Sequence, residues 1–227
     1  MKKFLCILLA GSLLLSLPAK TRKSVYIIID GVPADQIERL QPPAIFDIAS
    51  HGGYARAYTG GDVGEYSQTP TISAVGYTNL LTATWYNKHN VGGNDNLSPN
   101  YNYWTVFRIA EEQDRDVVTG LYSSWSDNRT VLIGEGRPET GNLRLDIVRD
   151  GYDHDPEAFP AREKSLEVFD IDEKVSEEAA ASIKQDAPDL SCVYLWYTDD
   201  LSGLPESKFY KFVLKAPSNH LNRWLLR

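Results

Sequence analysis

Two uninterrupted apolar runs frame this chain. Residues 24–29 read Ser-Val-Tyr-Ile-Ile-Ile and stop at Asp30-Gly31, a β-branched and aromatic pattern of the kind that is covered on both faces of a parallel sheet. The second run, 192–196, reads Cys-Val-Tyr-Leu-Trp and predicts another buried strand. Between them the apolar positions change period. Ala44, Ile45, Ile48 and Ala49 predict a helix over 43–50 that ends at Gly52-Gly53, and residues 54–58 then predict a short strand. A polar, glycine-rich loop covers 59–71. From Ser73 onward, Ala74, Val75, Tyr77, Leu80 and Leu81 follow helical spacing, with Ser73 or Thr71 as the cap. A helix over 104–112, a strand over 116–122 and an alanine- and glutamate-rich helix over 175–186 complete the series. Strands alternating with helices predict an α/β fold: a mainly parallel sheet with helices on both faces.

The ends of the chain have a different character. Met1-Lys2-Lys3, an apolar run over 4–17 and then Pro18-Ala19 match the charged, hydrophobic and cleavage regions of a signal peptide spanning 1–19. That run is shorter than the roughly 20 residues a spanning helix needs, so the pattern favours export to the periplasm or outside the cell over a stable membrane anchor. Cys6 lies inside the run, too early for a lipoprotein cleavage point. Residues 201–227 hold Lys208, Lys211, Lys215, Arg223 and Arg227 against one acid, Glu206, while the whole chain carries a net charge of −8. This basic tail is foreign to the acidic body, and the domain is therefore expected over 24–200.

Length and composition, 227 residues with 42% hydrophobic and 24% charged, fit one globular domain with a sizeable core. Past the signal segment the one cysteine is Cys192, so no disulfide framework exists, and a cysteine in an apolar run behaves as a small buried hydrophobe. The acidic balance, without a basic stripe in the body, argues against a nucleic-acid duplex as partner.

Candidate chemistry gathers near the first strand. Asp30 follows that strand directly, where open α/β sheets place their ligands, and its carboxylate suits a hard or borderline cation; the plain alternative is a turn or helix cap. Ser73 stands at a predicted helix N-terminus, where the dipole and a nearby cation would lower a hydroxyl pKa; the plain alternative is an N-cap. Thr69 and Thr71 are further hydroxyls in reach of the same role.

Taken together, Asp30-Gly31, the segment Ser73-Ala-Val-Gly-Tyr-Thr-Asn-Leu-Leu-Thr82 and His89-Asn-Val-Gly-Gly-Asn94 resemble the alkaline phosphatase superfamily, in its nucleotide pyrophosphatase/phosphodiesterase-like branch. The resemblance implies a metal-dependent phosphoric ester hydrolase with two divalent cations, zinc first among them, acting on a small phosphate ester or nucleotide. It assigns Asp30 as a metal ligand, Ser73 as nucleophile and metal contact, Asn94 as the oxyanion contact and His89 as a structural turn residue. The spacing from Ser73 to Thr82 favours Ser73 over Thr69 and Thr71 in that pattern. Sulfatases carry proline and arginine where this chain has Val75 and Tyr77, which counts against a sulfatase. The phosphodiesterase branch carries Phe-Pro-Asn where Ala74-Val75-Gly76 stands.

The same resemblance places a second metal ligand at Asp200, after the 193–196 strand and before Gly203, with a histidine expected where Leu204 stands. An alkyl side chain offers no lone pair to a metal. Together with the basic tail, this implies a truncated or frameshifted C-terminus, with an exposed sheet edge and doubtful catalysis; a rebuilt second site is the alternative. A reading from another class is a secreted, non-catalytic binding protein of the same fold whose aromatic-rich loop, Tyr101-Asn102-Tyr103-Trp104 with Trp85 and Tyr86, contacts a glycan or a nucleotide base. Core packing is the plainer role for those rings. Asp153-His154-Asp155 reads as a polar loop, and Asn128-Arg129-Thr130 is a short glycosylation pattern that carries little weight alone.

Overall fold

The computed structural model describes residues 22–202, with Leu201 and Ser202 described for their backbone alone. The expected signal segment, Leu204 and the tail from residue 203 onward lie outside the described residues. Four strands form one sheet: β1 (Ser24–Ile29), β2 (Thr119–Ser123), β3 (Ile147–Arg149) and β4 (Leu190–Leu195). They run in the order β1-β4-β2-β3, and every pairing is parallel. The helices are α1 (Ala34–Leu40), α2 (Pro43–His51), α3 (Ser73–Thr82), α4 (Tyr86–His89), α5 (Val106–Gln113), α6 (Leu166–Asp186) and α7 (Tyr197–Ser202). The chain therefore has an α/β fold built on an all-parallel sheet.

Strand alternation divides the core into two layers. Leu121, Cys192 and Tyr194 point to one face and pack against Ala74, Tyr77 and Leu81 of α3 and Phe107 of α5. Tyr122, Val193 and Leu195 point to the other, against Ile171, Val175 and Ala179 of α6. Cys192 is a free, buried thiol in the first layer. Leu121 is fully buried, and truncating such a side chain to alanine costs about 2–5 kcal/mol.

Several boundaries move, for local reasons. The helix expected at residue 104 starts at Val106, because Thr105 caps it: its hydroxyl accepts from Arg108 N. The strand expected from 116 starts at Thr119, because Asp114 and Asp189 side chains hold the preceding residues in a turn, accepting from Asp116 N and Val118 N. Helix α6 begins nine residues earlier than the alanine-rich stretch implied. Residues 54–58 form no strand; Tyr54 and Arg56 instead donate to Glu38 of α1. The largest difference concerns β1. Its sequence reads as covered on both faces, yet among the described residues it is the edge strand, with Val25, Tyr26 and Ile27 each 40–45% exposed. Strand β4, with neighbours on both sides, is buried throughout. Among the described residues, no helix is long and apolar enough to cross a membrane.

Candidate functional site

The carboxyl ends of β1 and β4 lie side by side, since Asp30 N donates to Leu195 O (3.0 Å). Asp30 thus leaves the sheet at the end where parallel strands present ligands. Its Oδ1 accepts from Gly31 N (2.9 Å). Its Oδ2 accepts from Ser73 Oγ at 3.0 Å and from the Tyr77 hydroxyl in a short bond. The Tyr194 hydroxyl lies 3.2 Å from the same oxygen and 2.9 Å from the Tyr77 hydroxyl. Burial first, followed by the Asp30 charge for Tyr77 and by Tyr77 and then Asp30 for Tyr194, pushes both phenols far above the usual tyrosine range, so both stay protonated donors.

Ser73 opens α3 and is half-buried, so its hydroxyl faces Asp30 while remaining reachable. One residue on, Ala74 N donates to Asn94 Oδ1 (3.0 Å). Asn94 is therefore a side-chain cap on the first turn of α3 and leaves its amide nitrogen as the donor for a ligand. Three residues named from sequence, Asp30, Ser73 and Asn94, thus converge on one place. Thr71 lines the neighbouring cavity. Thr69 is buried, and its hydroxyl donates to Ser67 O and accepts from Tyr86 N, which commits it to the loop.

Helix α7 brings the turn after β4 over β1. Thr198 Oγ1 donates to Asp30 O (2.5 Å), and the backbone and side chain of Asp199 lie on Gly31. Gly31 has φ +67, a left-handed conformation that suits glycine. Asp199 lines both cavities that meet at Ser73, whereas Asp200 lines neither. Asp200 is at the surface, and its pKa is raised by desolvation and by the nearby Glu167 and Asp30 charges, against donors from Ser165 and Trp196. The Trp196–Tyr197 turn itself is held by the fully buried Asp172, whose carboxylate accepts from Trp196 N, Tyr197 N and, in a short bond, Ser124 Oγ.

Two cavities share Asp30, Ser73, Tyr77 and Asp199. One, of about 220 Å³, is completed by Asn94, Asp95, Trp125, Tyr194 and Trp196. The other, of about 460 Å³, is completed by Ile29, Gly31, Val32, Pro33, Thr59, Thr71, Ile72 and Gly76. The oxygen donors that a cation would meet where the cavities join are Asp30, Asp199 and Ser73, and binding at Asp30 would have to displace tyrosine hydroxyls from it. Among the described residues no group of three His, Cys, Asp or Glu side chains is placed to hold a metal ion, at Asp30 or elsewhere.

The remaining sequence candidates have structural partners. His89 is fully buried; its Nδ1 accepts from Val91 N (3.1 Å) and its Nε2 lies 2.7 Å from the Asn79 side-chain amide. Burial lowers its pKa to about 4, and the ring ties α4 to α3. Asp153 caps the turn at Ser126, accepting from its N and Oγ. Asn128 is buried and donates to Ser123 Oγ, so it is no glycan acceptor in the folded chain. Trp104 is stacked under the Arg108 guanidinium, 4.2 Å from its ring centroid, and the Tyr101 hydroxyl donates to Val131 O. The residues missed from sequence are Tyr77, Tyr194, Asp95 and Asp199. The first two read as core positions, and their hydroxyls gain meaning once α3 and β4 face each other. No protein-family model, curated protein or solved structure matches this chain.

Proposed function

We propose that this chain is an exported phosphoric ester hydrolase of the phosphodiesterase type, with Ser73 as nucleophile and a divalent cation, zinc first, as cofactor. The observation that carries the reading is the 3.0 Å bond from Ser73 Oγ to Asp30 Oδ2 at the point where two cavities meet. A hydroxyl paired with a carboxylate at a helix N-terminus is a primed nucleophile, and two adjoining cavities suit the two ester arms of a phosphodiester.

A bound cation would lower the Ser73 hydroxyl pKa and offset phosphate charge beside Asp30 and Asp199. The chain's own part is positional. Asp30 orients the Ser73 hydroxyl and takes its proton as Oγ attacks phosphorus. As the Oγ–P bond forms, the P–O bond to one ester arm breaks and that arm leaves as an alkoxide or phenolate that solvent protonates. Water then attacks phosphorus, the Oγ–P bond breaks to release the monoester, and the proton held by Asp30 returns to Ser73 Oγ. The Asn94 amide hydrogen-bonds a non-bridging oxygen, and the first turn of α3 adds its dipole. Resemblance supports the second cation, with Asp200 as ligand; the geometry around Ser73 supports the first.

The test is hydrolysis of bis-p-nitrophenyl phosphate and p-nitrophenyl phosphate by the purified chain, with zinc and with chelator. The expected outcome is zinc-dependent turnover, faster on the diester and lost in Ser73→Ala. A folded sample without turnover refutes it. One observation favours a second reading, a non-catalytic binding protein of this fold: Asp30 Oδ2 already carries three hydroxyl contacts, which occupy the lone pairs a metal would use. Ligand binding in that same inactive sample supports this reading.

A further inference from the structure

The two cavities that meet at Ser73 differ in chemistry, and the difference names a class of ligand. Beyond the shared residues, the larger one is closed by Ile29, Val32, Pro33, Ile72 and hydroxyls of Thr59 and Thr71. The smaller one is closed by Trp125, Tyr194, Trp196, Asn94 and Asp95. Three aromatic side chains and the Asp95 carboxylate therefore line it together with Asp30 and Asp199, and among the described residues its lining holds no Lys, Arg or His.

Such a lining is suited to a cation. Aromatic faces attract ammonium groups through their quadrupole, and the attraction grows when water is excluded. The cavity, about 220 Å³, has room for a group with the bulk of tetramethylammonium. Tyr194 and Tyr77 are held tilted against each other, 4.9 Å between centroids, and Trp125 packs edge-on to Tyr77 at 6.3 Å. The rings are thus fixed before a ligand arrives, which reduces the entropy cost of binding. Asp95 is solvent-exposed at this cavity, where its charge would draw a cation inward.

We infer that the Trp125–Trp196–Asp95 cavity binds an alkylammonium group, so that the substrate class is a phosphodiester with one cationic alcohol arm and one neutral arm. The substrate half of this inference rests on the hydrolase reading above; the binding half does not. An ammonium arm also compensates charge that a bare phosphate would meet as repulsion from three carboxylates.

The experiment uses tetramethylammonium and its neutral isostere tert-butanol as probes of the full chain, followed by tryptophan fluorescence and calorimetry. Tetramethylammonium is expected to quench Trp125 and Trp196 and to bind about tenfold more tightly than tert-butanol, the scale of a partly desolvated cation–π site. Asp95→Asn, a surface change that leaves the core intact, is expected to weaken tetramethylammonium severalfold without altering the tert-butanol signal. Equal binding of the two probes, or binding of zinc with none of tetramethylammonium, overturns the inference. If turnover of bis-p-nitrophenyl phosphate fails while tetramethylammonium binds, the hydrolase reading falls and the cation site stands. If turnover occurs without tetramethylammonium binding, the reverse holds.

Discussion

Asp199 fills the space that a side chain at Gly31 would occupy: a methyl group there would overlap Asp199 Cα and lie 2.7 Å from its Oδ1. The contact seats α7 on the end of β1, and it is what turns a carboxylate next in line after β4 toward Ser73. Sequence resemblance points to Asp200 as the carboxylate of this segment. The packing against Gly31 puts its neighbour in the cavities instead.

Gly31→Ala is therefore expected to act twice. The left-handed backbone, φ +67, costs an L-residue roughly 1–2 kcal/mol, and the overlap forces α7 away from β1 at a further cost of about 1–3 kcal/mol. Urea titration should show a midpoint lowered accordingly. Ligand binding at the Ser73 cavities should fall by more than stability alone explains, because Asp199 moves. A variant with unchanged midpoint and unchanged binding would mean that α7 is not seated as described.

The fold was legible where one element's sequence carries the whole signal. Strand β4, flanked by β1 and β2, is buried along its length, and its apolar run says so. Helix α6 could be read only in its last half, because Leu166 to Lys174 mixes charge with the apolar positions Val168 and Ile171 that reach the core. Strand β1 misled, because its run looks like that of an interior strand while among the described residues it holds the edge, with Val25, Tyr26 and Ile27 exposed. At the site, Asp30, Ser73 and Asn94 were legible from spacing and resemblance. Tyr77 and Tyr194 were not, since helical period and strand alternation explain both as core, and nothing local marks their hydroxyls as meeting 117 positions apart.

Those hydroxyls set the second prediction. Tyr77 donates to the same Asp30 oxygen as Ser73, so Tyr77→Phe removes a charge-assisted bond of about 1.5–3 kcal/mol. Stability should drop by that order. Affinity for a divalent cation, measured by calorimetry with zinc or manganese, should rise, because a lone pair of Asp30 is released. If zinc binding is unchanged or weaker in Tyr77→Phe, the tyrosine hydroxyls do not compete with a metal at Asp30.

The third prediction concerns two buried titratable groups with opposite signs. Burial lowers the His89 pKa to about 4, from an ordinary histidine value of about 6.5. The unfolded chain therefore takes up this proton first on acidification, and the fold loses stability as pH falls from about 6.5 toward 4, by up to roughly 3 kcal/mol. Burial pushes Asp172 the other way, up to about 7 against its three donors. Here the folded chain takes up the proton first, so the fold gains stability as pH falls from about 7 toward the unfolded carboxylate value. In the intact chain the two slopes oppose each other between pH 7 and 5, and the urea midpoint should change little there. Each variant should expose the other group: Asp172→Asn should lose stability on acidification over that range, and His89→Gln should gain it. Midpoints measured at pH 7.5, 6 and 5 decide the matter, since equal slopes in the two variants would mean that neither residue titrates as its burial requires.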